Sequence, residues 1–173
     1  MRSEISDYFK KNYDSNVTLK DFESKNLGFD VVATHKNLNL LIEYKGRFFE
    51  SGKTDQFLKE YDILVEIIQS LPVFQKLPIS ISNRDVNNLI TSHKLNVAVG
   101  WFYKCIADRL VFFRFLDNEL YDVIDLDFRF FKQWLMNEIN NFSLQYSDKT
   151  TGTINLKIPL NRIPKPFLKY KQS

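Results

Sequence analysis

Apolar residues recur at two spacings along this chain, and the alternation between them lays out an α/β order. In "RSEISDYFKKNY" Ile5, Tyr8 and Phe9 fall on one side at helical spacing, so residues 2–13 predict a short amphipathic helix. "NVTLKDFE" alternates imperfectly and reads as a first strand, and "LGFDVVATH", rich in β-branched and aromatic residues, as a second. His35-Lys36-Asn37 supplies a turn into a third strand, "LNLLIEYKG", stopped by Gly46. After the loop "RFFESGK", residues 54–71 predict a helix: Thr54 caps it, Phe57, Leu58, Tyr61, Leu64, Val65, Ile68 and Leu71 line its face, and Pro72 follows. Residues 82–94 predict a second helix, with Ser82 and Asp85 at capping-box spacing. Residues 95–105 and 109–116 read as a strand pair across "IADR". Residues 128–142 read as a helix with Phe128, Phe131, Leu135 and Ile139 on a stripe, and residues 153–173 as a strand and an extended, proline-containing arm. The order α-β-β-β-α-α-β-β-α-β predicts one α/β domain over residues 1–173, with a mixed central sheet flanked by helices.

Composition narrows the classes. A domain of 173 residues buries roughly 70% of its unfolded surface and folds without disulfides or a structural metal. The single Cys105 excludes an internal disulfide and, within "WFYKCIA", reads as buried rather than reactive. With two histidines far apart, His35 in a turn and His93 at a helix end, neither a zinc site nor a Cys-His nucleophile is expected. Five scattered glycines form no phosphate-cradling loop. No apolar run approaches the ~20 residues that cross a bilayer, so no membrane association and a cytoplasmic, nucleoid-associated location are expected. The net charge of +3 permits nucleic-acid binding without requiring it.

One stretch, "LGFDVVATHKNLNLLIEYKGR", sets charged residues among strand-like apolar ones. Strand alternation puts Glu43 and Lys45 on one face and Leu40, Ile42 and Tyr44 on the other. Antiparallel pairing across a short turn would bring Asp30 opposite the region of Glu43, clustering two carboxylates and an ammonium at one end of the sheet. Carboxylate oxygens suit Mg²⁺, and a neighbouring lysine can orient, and help deprotonate, a water acidified by the metal. Such parts hydrolyse phosphodiesters. The same residues also fit an exposed strand face with an ordinary salt bridge. An acid-x-Lys pattern occurs again at Glu23-Ser24-Lys25; what sets Glu43-Tyr44-Lys45 apart is its place at the end of an apolar run, just before Gly46.

Asp30 on one strand and Glu43-Tyr44-Lys45 on the next resemble the signature of the PD-(D/E)XK nuclease superfamily, an Asp followed on the next strand by (Asp/Glu)-x-Lys. Phe29 stands where the signature has Pro. The helix and strands around the motif extend a weaker resemblance over residues 2–71. The resemblance implies a restriction-endonuclease-like core at about residues 2–116, with a helix and basic C-terminal arm over about 117–173. It implies metal ligation by Asp30 and Glu43, water activation by Lys45, and Mg²⁺ as cofactor with Mn²⁺ substituting. A further acid in this superfamily often comes from the first helix. Glu4 is the candidate, although an acid there also suits a helix N-terminus. Some relatives carry Gln-x-x-x-Tyr after the motif strands; here Tyr61 lies five residues beyond Gln56, so only Gln56 is carried over, and it also reads as an ordinary helix-start residue.

Phosphate contacts come from Lys and Arg. Arg47 and Lys53 flank the loop after the motif, and Arg84 stands beside Asn87, whose amide could read a base. Arg162, Lys165 and Lys169 lie in the basic arm. Each of these also reads as a solvated surface charge. The expectation is a Mg²⁺-dependent DNA endonuclease, cutting both strands site-specifically in the manner of homing or restriction enzymes. One centre per chain then calls for a homodimer or higher homo-oligomer. The rivals are a structure-specific junction or repair nuclease and a non-catalytic nucleic-acid-binding protein; cleavage of RNA by the same site stays open.

Overall fold

Helix α1 (Ser3–Asn12) opens the computed structural model, which describes residues 3–13, 29–49, 62–70, 98–148 and 153–171. Its inward residues are the three the periodicity picked: Ile5, Tyr8 and Phe9 are buried. Glu4 in its first turn and Lys10 and Lys11 in its last match the helix dipole. The expected strand pair follows as β1 (Val31–His35) and β2 (Leu38–Phe49), antiparallel from Val31↔Ile42 to His35↔Leu38. Lys36 and Asn37 make the turn, both at positive φ (49° and 65°). That geometry suits the right-handed twist of a two-residue hairpin, and Asn tolerates it well.

The chain is mixed α/β, and the described residues fall into two units. The first draws on residues 1–60, 105–131 and 164–173. Its five-stranded mixed sheet runs β1-β2-β5-β6-β9, adding β5 (Arg109–Leu116), β6 (Glu119–Asp127) and β9 (Leu168–Lys171). β2 and β5 are parallel, from Ile42↔Arg109 to Phe49↔Leu116. β5 and β6 form a hairpin turned at Asp117 and Asn118, again both at positive φ. Against one face of this sheet α1 packs Tyr8 and Phe9 onto Val31, Ala33, Ile42, Val111 and Phe113. Edge-to-face rings join Phe9 to Tyr44 and Tyr8 to Phe113. Burying one such side chain contributes about 1.5–3 kcal/mol, so three anchors hold a helix too short to be stable alone.

The second unit draws on residues 61–104 and 132–163. Its four-stranded sheet runs β4-β3-β8-β7, from β3 (Asp62–Ser70), β4 (Ala98–Val99), β7 (Ser143–Asp148) and β8 (Thr153–Pro159). After β4 comes a single helical turn, α2 (Trp101–Lys104). Gly100 lets this turn form: a Cβ there would lie 2.3 Å from the Glu66 carbonyl oxygen. The longer helix α3 (Phe128–Glu138) starts in the first unit and continues into the second. Its expected stripe of Phe128, Phe131, Leu135 and Ile139 is buried. No helix among the described residues is long and apolar enough to cross a membrane.

Several expectations are corrected. The helix expected over 54–71 is a strand from Asp62 to Ser70. There Ile63, Val65 and Ile67 are buried at period two, and β-branched residues at that period suit a strand. The remainder of that segment, like "NVTLKDFE" and the helix expected at 82–94, lies outside the described residues. "WFYK" is helical, and β5 pairs with β6 across Asp117-Asn118, not with 95–105. The expected loop residues Arg47, Phe48 and Phe49 extend β2. The C-terminal stretch is no free arm: after two 3₁₀ turns, Leu168–Lys171 pairs with β6 as an edge strand.

Candidate active site

Asp30 stands one residue before β1, at the end of the hairpin away from its turn. Its N–H donates to the Ile42 carbonyl (2.9 Å), and its Oδ2 accepts the Tyr44 N–H (2.9 Å). The side chain thus prolongs the ladder where β1 stops. Glu43 and Lys45 leave β2 on the face opposite Ile42 and Tyr44, and so opposite α1. Lys45 Nζ lies 2.5 Å from Glu43 Oε1. Both acids are 6% exposed, whereas the Lys45 side chain is 35% exposed. The acids are therefore fixed within the fold, and the lysine reaches water.

The two carboxylates and the ammonium influence one another, and the proton affinities of Asp30 and Lys45 register it. Burial, and then the negative charge of Glu43, push the Asp30 carboxyl up to about 6; the Tyr44 N–H and Lys45 pull the other way. At Lys45 burial works against the charged form, but Glu43 and, less strongly, Asp30 outweigh it and hold the ammonium above its ordinary value. Cys105 is buried close to Lys45, as its apolar surroundings suggested.

Among the described residues no three His, Cys, Asp or Glu side chains group closely enough to hold a metal ion. Glu4 therefore does not join Asp30 and Glu43 in such a group; its carboxylate accepts from Ser3 Oγ at 3.1 Å. Arg47, two residues past Lys45 on the same strand face, carries its guanidinium 5.0 Å from the Phe49 ring centre. Arg162 is exposed in the second unit, its guanidinium 5.9 Å from the Phe142 ring. Lys165 is exposed in a 3₁₀ turn of the first unit, and Lys169 lies in β9. Gln56, Lys53, Arg84 and Asn87 lie outside the described residues.

Sequence reasoning passed over the residues that anchor this part of the sheet. Asp108 accepts the Leu41 N–H on Oδ2 (2.8 Å), donates its own N–H to Leu41 O (2.7 Å) and pairs with Arg129. It ties the start of β5 to β2. Arg109 and Arg114 on β5 pair with Asp125 and Asp122 on β6, all buried. The signal was present: two arginines and two aspartates lie in apolar runs flanking a tight hairpin, Arg114 directly opposite Asp122 and Arg109 diagonal to Asp125. No protein-family model, no curated protein and no solved structure matches this chain.

Proposed function

We propose that the chain is a metal-dependent DNA endonuclease with a restriction-endonuclease-like core, in which Asp30 and Glu43 hold the cation and Lys45 acts on the attacking water. The observation that carries this reading is the convergence of two buried carboxylates on a single, partly exposed ammonium. Like charges crowded in a poorly hydrated place are costly, and a cation between them would relieve that cost. The donor set fits Mg²⁺, which takes hard oxygen ligands and usually rests on one or two carboxylates plus water and substrate phosphate. When bound, such an ion supplies charge stabilisation at the phosphate and an acidified nucleophile.

The chain's own residues supply the rest. Asp30 is oriented by the Tyr44 N–H. Lys45, exposed enough to swing, presents its Nζ to the water or to the phosphate. Arg47 continues the same face beyond Lys45, where a backbone phosphate of bound DNA would pass. Site-specific double-strand cleavage by a homo-oligomer remains the preferred form, because one such centre cuts one strand. A second reading, a nucleic-acid-binding module, is favoured by the close Lys45–Glu43 contact, which alone is an ordinary ion pair.

The test is cleavage of a supercoiled genomic DNA library with Mg²⁺ or Mn²⁺, for wild type, Lys45→Ala and Asp30→Asn. Expected is metal-dependent nicking or linearisation, lowered on the order of 10²-fold or more in both variants. A folded wild type that cuts nothing with either ion, yet binds DNA as tightly as the variants, would replace this reading with the second. Junction substrates run alongside separate the structure-specific form from the site-specific one.

A further inference from the structure

We infer that Lys45 is a built-in competitor for the cation: its ammonium and a divalent ion contend for the same Glu43 carboxylate, so Lys45 sets how much divalent ion the site requires. This rests on reading Asp30 and Glu43 as the cation's ligands. The geometry supports it from three sides. Lys45 Nζ lies 2.5 Å from Glu43 Oε1, within the space an ion on that oxygen would take. Glu43 is 6% exposed, so its carboxylate offers little surface besides the one the ammonium covers. The Lys45 side chain is 35% exposed, which gives it room to turn towards solvent when displaced.

Charge points the same way. A cation entering beside an ammonium meets electrostatic repulsion, which the lysine lessens by turning towards solvent. It also replaces an attraction already made between Lys45 and Glu43. Asp30 adds to the draw, its negative charge acting on the same ammonium. The lysine therefore has two opposed effects: it serves the reaction, and it weakens the hold on the ion that the reaction needs. A site built this way fills only when divalent ion is ample or when substrate phosphate adds its own oxygens.

Mn²⁺ binding without DNA, followed by calorimetry and by the electron-spin signal of free Mn²⁺, tests this apart from any cleavage. Wild type, Lys45→Met and Lys45→Arg are compared, with Lys45→Gln as a polar substitute if methionine impairs folding. Lys45→Met is expected to bind Mn²⁺ roughly tenfold more tightly than wild type, and Lys45→Arg about as weakly as wild type. Tightening that disappears when Glu43→Gln is added assigns the effect to this carboxylate. Equal or weaker binding by the folded lysine-free variants, with wild type binding measurably, overturns the competition while leaving the ligand reading intact. No Mn²⁺ binding by any of the folded chains overturns both.

Discussion

Two sets of buried charges sit in the same five-stranded sheet and are built on opposite plans. On β5 and β6 each buried acid has its own base. The Arg114 Nε donates to Asp122 Oδ1 at 2.5 Å while its Nη2 reaches Oδ2, and both partners are almost fully buried. Asp125 accepts from Arg109 on one oxygen and from the Tyr8 and Tyr13 hydroxyls on the other, at 3.0 and 2.8 Å. Burial and the charge of Asp125 hold both phenols in their neutral form, as donors. Arg109 Nη1, buried without a hydrogen-bond partner, has Asp127 Oδ2 at 4.0 Å.

At Asp30, Glu43 and Lys45 the count is two acids to one base, and that base is the most exposed of the three. Matched pairs of this kind define a structure; under the proposed function, the unmatched carboxylates at the end of the hairpin are where a cation would add the missing positive charge.

The largest effect should come from breaking a matched pair. Arg114→Ala leaves Asp122 as a buried, uncompensated charge and is expected to lower unfolding free energy by about 3–5 kcal/mol, read from urea denaturation. A loss below about 1 kcal/mol would mean water reaches Asp122 and the contrast between the two sets is smaller than drawn.

At the unmatched set the sign reverses. Asp30→Asn keeps an oxygen for the Tyr44 N–H and removes one of two crowded charges, so it should stabilise the fold by about 1–2 kcal/mol at pH 7.5. Asp30 is held at about 6 against an ordinary value of 3.8, so between those values the folded chain binds the proton that the unfolded chain has released. Wild type therefore loses this stability as pH rises through 6, and the advantage of Asp30→Asn should vanish near pH 4. An advantage that persists unchanged at pH 4 would assign it to something other than charge.

The smallest effect is reserved for Tyr13→Phe. Asp125 keeps Tyr8 and Arg109 as donors, so the loss should be about 1 kcal/mol in thermal unfolding. A much larger loss would show that α1 depends on this one hydroxyl.

How far the sequence disclosed this molecule depends on how local each signal was. The hairpin of β1 and β2 was legible because its turn, its β-branched runs and its alternation all lie within twenty-odd contiguous positions, and Asp30 and Glu43 meet through that hairpin alone. Helix α1 and the buried stripe of α3 were legible for the same reason. What failed was non-local. In "DILVEIIQS" the apolar positions satisfy both periods, and the partner that makes it a strand, β8, comes some ninety residues later. "ELYDVIDLD" carries aspartates, which by themselves argue against a strand; Arg109 and Arg114, which pair with Asp125 and Asp122, belong to the neighbouring strand. The C-terminal lysines read as a basic arm because nothing near them announces their pairing with β6.

The proposed hold of Asp30 and Glu43 on a divalent cation underlies the rest. It is tested most directly by the melting temperature of wild type and of Glu43→Gln, each with and without millimolar Mn²⁺. The account predicts that Mn²⁺ raises the wild-type melting temperature by several degrees, as ligands of the native state do, and leaves Glu43→Gln unmoved. Identical melting of wild type with and without Mn²⁺, or an equal rise in both chains, would contradict it and make Asp30, Glu43 and Lys45 a charged strand end.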